Sequence, residues 1–306
     1  MRIAFAGTPE VAIPPLWTLL NAGHEIVAVI TRPDAPAGRG RALQPSPIAT
    51  FAEEHGLPVL KPQRLSEIHE ELEALAPECV AVVAYGGLVP ASMLGVPKYG
   101  WINLHFSLLP AWRGAAPVQW AILAGDDVTG ACTFRIEAGL DTGPVFGTLT
   151  RTIDRADTSG TLLAALATDG AQLLAQTIGA LDRLQPVPQH REGVSLAPKL
   201  GKEDAHIRWQ EPALAVDRRI RACTPEPGAW TTVGEQRLGV EPVVLRPDVT
   251  DLPAGTVRVQ GRAVLVGTGS HAIALERVKP AGKAWMAADA WMRGLRGKVE
   301  FTDASR

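Results

Sequence analysis

The chain has 306 residues, 46% hydrophobic and 20% charged, with a formal net charge of −2; this balance is that of an ordinary globular protein and excludes a disordered chain. Its length predicts about two domains on a prior of roughly 150 residues each. No apolar run approaches the roughly 18 residues of a membrane span, no signal-peptide cleavage pattern follows Met1, and Cys79, Cys132 and Cys223 are too far apart for a metal cluster, so the expectation is a cytoplasmic protein with reduced thiols and no membrane partner. Charge is spread unevenly. Residues 1–189 hold 12 Lys and Arg against 18 Asp and Glu, net −6, and residues 190–306 hold 18 against 14, net +4. A basic second part points to an anionic partner, although chance explains so small a difference equally well.

Arg2–Ala6 predicts a buried strand. Thr8, Pro9 and Glu10 then suit an N-cap, a first helical position and the positive helix end, opening a helix to about Ala22 that Gly23 closes. With the strand predicted at Ile26–Thr31, this is a βαβ unit. The fingerprint G-x-G-x-x-G is absent, Gly7 standing alone, which disfavours a dinucleotide. Arg32–Pro47 breaks the pattern with four prolines and two glycines, a connection long enough to have a function. Within it Arg39-Gly40-Arg41 suits phosphate, since glycine lets a backbone approach and arginine makes forked contacts; the plain alternative is a solvated, proline-stiffened loop.

Helices are expected at Ile48–His55 and Ser66–Ala76, and a short strand at Val59–Leu60. The apolar run Cys79–Ala84 fits a central parallel strand. It empties into Tyr85-Gly86-Gly87-Leu88-Val89-Pro90, at the edge where open α/β sheets bind ligands. In Trp101–Gly114, alternation puts Ile102, Leu104 and Phe106 on one side of a strand and Asn103, His105 and Ser107 on the other, and Pro110 stops the ladder. A helix at about Pro117–Ala124, strands at Gly130–Ile136 and Val145–Thr152, and a long helix from Thr161 to about Leu184 follow. Pro186 and Pro188 mark a boundary. Ala213–Cys223 predicts a helix with Val216, Ile220 and Cys223 inward and Arg218, Arg219 and Arg221 off that face. From Ala229 onward, short segments at 229–233, 237–245, 255–259, 263–267 and 272–278 predict a small antiparallel barrel, a shape that binds oligonucleotides when its face is basic.

The polar row of the central strand suits acyl transfer. His105 and Asn103 can donate to an oxygen that becomes negative in a tetrahedral intermediate. Asp141, delivered by Gly139-Leu-Asp-Thr-Gly143, can favour the imidazolium and position a water that carries off the proton of an attacking amine. Each residue also has a plain structural role: a packed histidine, a capping amide, an Asp that bonds its own turn. The conjunction on one strand face favours chemistry. Ser107 lies in no Gly-x-Ser-x-Gly elbow and equally suits the start of the Pro110 turn. No His, Cys and Asp spacing matches a metal site.

Asn103-x-His105-x-Ser107-Leu-Leu-Pro110 with Asp141 in Gly139–Gly143 resembles the core of the formyltetrahydrofolate-dependent formyltransferases. Phe5-Ala-Gly-Thr-Pro9, Pro36-Ala-Gly-Arg-Gly40, Trp112-Arg-Gly-Ala-Ala-Pro117, Asp157-Thr-Ser-Gly160, Pro227-Gly-Ala-Trp230 and Pro280-Ala-Gly-Lys283 look like landmarks of the branch that acts on charged initiator tRNA. Gly87 departs from that pattern, in which a larger aliphatic residue is usual. The resemblance implies an α/β fold: a Rossmann-like, mostly parallel sheet with helices on both faces over residues 1–187, a linker at 188–206, and an OB-like antiparallel barrel over 207–306 that holds tRNA. It implies formyl transfer from 10-formyltetrahydrofolate, as co-substrate and without a metal, to the amino group of methionine on initiator tRNA, with no obligatory protein partner. By the matching positions Asn103, His105 and Asp141 are catalytic. Ser107, Leu108, Leu109 and Pro110 border the folate, and Tyr85, Gly86, Leu88, Val89, Ala138 and Leu140 enclose its pterin. Arg39 and Arg41 meet the acceptor end of the tRNA, and Lys199 and Lys202 its backbone. Two other readings share parts of this pattern: a formyltransferase or hydrolase acting on a small molecule, and an RNA-binding protein that keeps the fold without turnover.

Overall fold

Apolar strands with β-branched and small side chains make the centre of the first and larger sheet. The computed structural model describes residues 1–37, 42–295 and 299–302. In chain order its first strands are β1 (Arg2–Gly7), β2 (Glu25–Ile30), β3 (Ala35–Ala37), β4 (Ala42–Gln44), β5 (Val59–Leu60), β6 (Cys79–Val83), β7 (Trp101–His105), β8 (Val128–Arg135) and β9 (Val145–Thr152). The helices among them are α1 (Ile13–Asn21), α2 (Pro47–Glu54), α3 (His69–Leu75), α4 (Ala91–Leu94) and α5 (Pro117–Ala124), with α6 (Ser159–Ile178) after β9. Seven strands form one sheet in the order β5-β2-β1-β6-β7-β8-β9. The first five run parallel, and β8 and β9 continue the sheet antiparallel.

All five residues of β6 are buried, as a central strand covered on both faces requires. Val80 and Val82 pack with Ala4, Ala6, Leu65, Leu72 and Met93 in one core cluster. Trp101 is fully buried there, and its indole N–H donates to the carbonyl of Met93 at 2.7 Å. Chain order reverses between β1 and β6, so the crevice at the carboxyl ends of β1, β6 and β7 is the place for a ligand in this architecture. Gly7 ends β1 there because a Cβ would stand 2.8 Å from the Ala12 Cβ and 2.9 Å from the Phe5 ring.

Several local expectations change. Glu10–Ala12 forms a 3₁₀ turn before α1, and Thr8 does not cap it; its hydroxyl donates instead to the Tyr85 carbonyl at 2.9 Å, tying the end of β1 to the loop after β6. The Ser66–Ala76 segment begins as a 3₁₀ turn at Leu65–Ile68 before α3. The Arg32–Pro47 connection contains the antiparallel pair β3 and β4. Arg39 and Arg41 lie outside the described residues. The long helix stops at Ile178 rather than Leu184, where Gly179 weakens further propagation.

The chain divides into two compact units: one of Met1–Pro117, Val128–Thr152 and Leu163–Ala197, the other of Val118–Asp127, Ile153–Leu162 and the described residues from Pro198 onward. The second unit contains α7 (Ala213–Ala222), β10 (Trp230–Val233), β11 (Gln236–Val240), β12 (Val244–Arg246), β13 (Val257–Gln260), β14 (Ala263–Val266), β15 (Ala272–Leu275), β16 (Arg277–Pro280), β17 (Met286–Ala287), α8 (Ala288–Arg293) and β18 (Phe301–Thr302). They form two antiparallel sheets, β17-β16-β11-β10-β18 and β12-β15-β14-β13. Both contribute to one core with α7, through Val216, Ile220, Leu238, Val240, Val264, Val266, Ile273 and Val278 around Trp209. The segment expected as one strand at 237–245 is split between β11 and β12, since Pro242 cannot donate to a ladder. The segment 272–278 is split at Glu276. On α7, Val216, Ile220 and Cys223 are buried as their spacing predicts, but Arg221 is buried with them. Its guanidinium pairs with Asp217 at 2.8 Å and donates to the Asp157 carbonyl at 3.0 Å, so it belongs to the interior rather than the polar face.

Candidate active site

Strand β7 turns its two faces to different surroundings. Ile102 and Leu104 are buried, and Leu104 fills the space above Gly170 of α6, whose added Cβ would meet it at 3.0 Å. Asn103 and His105 line a cavity of about 660 Å³ with Val82, Ala84, Tyr85–Val89, Gly114, Ala115, Pro117 and Ile136–Asp141, and Leu104 and Phe106 also border it, so the cavity is not confined to the polar row of the alternation. That volume suits a small organic ligand. Its mouth carries Leu88 and Leu140, which are 86% and 61% exposed, apolar surface of the kind that marks a binding site.

His105 is hydrogen-bonded at one ring nitrogen and faces a carboxylate at the other. Nε2 lies 3.0 Å from the carbonyl of Trp112. A carbonyl only accepts, so Nε2 carries the proton in the neutral ring and Nδ1 is the free acceptor. Nδ1 faces Oδ2 of Asp141 at 3.8 Å. Burial pushes the imidazole below its ordinary pKa, and the Asp141 carboxylate and the Trp112 carbonyl pull it back only in part. The resting ring is therefore neutral at neutral pH, with a carboxylate waiting beside the nitrogen that would take a second proton. Trp112 holds its carbonyl in place at φ +59°, a left-handed conformation that costs a bulky residue about 1–3 kcal/mol and that clusters at functional sites. Its N–H donates to the Ser195 hydroxyl at 2.8 Å.

Asp141 sits in a tight turn, also left-handed at φ +48°. Its Oδ2 accepts from the Gly114 N–H at 2.8 Å. Gly114 must be glycine: φ is +124°, and a Cβ would stand 2.7 Å from the Ala197 carbonyl oxygen. The Asp141 and Gly143 carbonyls both accept from the Gln189 side chain, at 2.7 and 2.8 Å. One face of the cavity thus brings together an amide, an imidazole and a carboxylate, arranged to take a proton at His105 Nδ1 and to stabilise the ion that results.

The other expected site residues divide clearly. Tyr85, Gly86, Leu88, Val89, Ala138 and Leu140 line the cavity with the three polar residues. Gly87 does so too, and the Tyr85 ring fills the space a side chain would take there, its Cε1 2.5 Å from an added Cβ. Ser107, Leu108, Leu109 and Pro110 are not among the lining residues. Ser107 is fully buried and donates to the Ala111 carbonyl at 2.6 Å; it builds the turn after β7. Leu108 packs on Gly130 of β8. Lys199 and Lys202 are exposed in the second unit. Sequence pattern does not mark Gln189, Arg113, Ser195 or the Trp112 carbonyl as site residues. Trp112-Arg-Gly stood out only as a landmark, and nothing local marks Gln189. Among the described residues, no group of three or more His, Cys, Asp or Glu is placed to hold a metal ion, and no helix is long and apolar enough to cross a membrane.

Two family models match the chain: formyl transferase over residues 1–178, and formyl transferase, C-terminal domain, over residues 199–296. The methionyl-tRNA formyltransferase of Paenarthrobacter aurescens (strain TC1) is 59% identical over 297 residues, 96% of this chain and 97% of that protein. That of Arthrobacter sp. (strain FB24) is 58% identical over the same length and the same shares. Among solved structures, the N-formyltransferase from Helicobacter canadensis, in complex with folinic acid and dTDP-3-aminofucose, superposes with a TM-score of 0.68 at 18% identity, over 89% of this chain and 98% of that one. At that identity the likeness is one of fold.

Proposed function

The chain belongs to the formyl transferase family, and we propose that it moves the formyl group of 10-formyltetrahydrofolate to the amino group of methionine on initiator tRNA, for translation initiation in the cytoplasm. The observation that carries the chemistry is His105 Nδ1 turned to Asp141 at 3.8 Å, with Asn103 on the same strand face of one cavity. The acceptor amine attacks the formyl carbon, and the carbonyl oxygen takes up the negative charge. Asn103 donates to that oxygen. His105, neutral at rest, accepts the proton the amine loses, directly or through a water that Asp141 orients, and becomes an imidazolium that Asp141 stabilises. Nδ1–H is then a second donor in the cavity. As the bond from the formyl carbon to the folate nitrogen breaks, the same proton passes to that nitrogen, so one proton moves from amine to leaving group and His105 ends neutral.

The donor's flat ring system is assigned to the cavity walled by Tyr85–Val89 and Ala138–Leu140, whose lining is mostly apolar. The acceptor's length argues for two working parts: one for chemistry over residues 1–187, together with the Gln189–Ala197 segment that packs on its loops, and one for the tRNA over 207–306. Arg39 and Arg41 suit the phosphates at the acceptor end, and the exposed Lys199 and Lys202 the stem. The close likeness to methionyl-tRNA formyltransferases over both parts supports this acceptor over a small amine.

The test supplies donor labelled in its formyl carbon together with methionyl initiator tRNA. Label recovered as formylmethionine on the tRNA is the expected result. Label recovered as free formate, with the methionine unmodified, would contradict it.

A further inference from the structure

One side chain from the segment after α6 fastens together the two loops that hold His105 and Asp141. Gln189 uses its whole amide. The two Nε2 hydrogens go to the carbonyls of Asp141 and Gly143, at 2.7 and 2.8 Å, and Oε1 accepts from Nε and Nη2 of Arg113, at 3.1 and 2.7 Å. An amide offers two donors and two acceptor positions, so nothing is left over. Arg113 stands between Trp112, whose carbonyl meets His105 Nε2, and Gly114, whose N–H holds the Asp141 carboxylate. The same segment ties down that loop's backbone: Arg113 N–H donates to the Ser195 carbonyl, Ala197 N–H to the Arg113 carbonyl and Ala116 N–H to the Ala197 carbonyl, at 2.9, 2.7 and 3.0 Å. Asp141, at a φ of +48°, adopts a conformation that its own backbone disfavours and that its surroundings must maintain.

We propose that Gln189 is a positioning residue for formyl transfer, pinning the Asp141 turn against the Trp112–Gly114 loop and so setting the Asp141 carboxylate at its distance from His105 Nδ1. The proposal rests on His105 and Asp141 being the reacting pair. Its consequence is electrostatic as well as geometric. Among the described residues, the charged group acting on His105 is Asp141, which raises the imidazole pKa. Cys132, opposite His105 in the sheet, is kept a neutral thiol by burial that pushes it up to about 12. If Gln189 holds Asp141 in place, removing its amide lowers the pKa of His105 further.

Gln189→Met keeps the length without the hydrogen bonds, and Gln189→Glu keeps an acceptor for Arg113 but loses both donors to the turn. With methionyl initiator tRNA and 10-formyltetrahydrofolate, both variants are expected to lose kcat by about tenfold or more, the scale on which small misplacements act. The KM for tRNA is expected to stay within about twofold, and the acid limb of the Gln189→Met pH–rate profile to move to lower pH. A purely structural role would lower the melting temperature without moving that limb. In an Asp141→Asn background, Gln189→Met is expected to cost little more, because the group it positions is gone. Wild-type kcat in either variant, an effect confined to the KM of the formyl donor, or full additivity with Asp141→Asn would overturn the proposal. Near wild-type turnover in Asp141→Asn alone would instead overturn the reading of the reacting pair, and the proposal with it.

Discussion

His105 has one nitrogen fixed by the Trp112 carbonyl and one facing Asp141, and this asymmetry determines what its loss should do. His105→Ala is expected to lower the single-turnover rate about 10²- to 10⁴-fold, the usual worth of a positioned acid–base group, with donor affinity nearly unchanged. A rate within threefold of wild type would remove the imidazole from the mechanism. The direction of the pH effect follows from burial. Because the folded pKa lies below the ordinary value of about 6.5, the neutral base persists to lower pH, and the wild-type rate is expected to fall only on that acid side. Asp141→Asn removes a cause that raises the pKa and shifts the fall to still lower pH. Asn103 and His105 could be read from the sequence because a two-residue period states which side chains share a face. Ser107 has the same phase, yet it ends in a turn: alternation says nothing of where a strand stops. Gln189 is 48 residues from Asp141, and no periodicity links them, so only the folded chain reveals it.

At the scale of elements, the Asp141 turn depends on how closely it passes the end of β8. A Cβ at Gly143 would overlap the Arg135 carbonyl, and the same stretch of backbone is joined by the Arg135 N–H donating to the Pro144 carbonyl at 3.0 Å. Gly143→Ala is therefore expected to destabilise the fold by about 1–3 kcal/mol, as overpacking does, and to slow formyl transfer by displacing Asp141. A urea midpoint equal to wild type would mean the turn has room that this backbone does not show. Strand β6 was legible because five consecutive apolar residues fit a strand covered on both faces. The start of α1 was not, since Thr8 satisfies its hydroxyl with the Tyr85 carbonyl across the sheet edge instead of capping its own helix. A tertiary partner outbid a local one, and local pattern carries no record of such partners.

At the scale of the molecule, two chain segments, Val118–Asp127 and Ile153–Leu162, belong to the same compact unit as the described residues from Pro198 onward. A boundary read from Pro186 and Pro188 treats the chain as two successive pieces; an interleaved partition depends on which distant segments pack together, which composition along the chain does not encode. The net charge of +4 over residues 190–306 also reads differently in three dimensions. Arg208, Arg219, Arg221, Arg246, Arg258 and Arg277 each pair with an acid, while Arg237 lies over the Trp230 ring at 4.3 Å and Lys279 over that of Trp285 at 5.8 Å. With a large acceptor, binding energy from parts of the substrate remote from the reacting centre can be used to drive the reaction. The most direct measurement is thus the ratio of kcat/KM for methionyl initiator tRNA to that for free methionine, with 10-formyltetrahydrofolate as donor. A ratio of about 10³ or more is expected, on the scale of about 4 kcal/mol from tRNA contacts. A ratio near one would contradict the assignment of the acceptor.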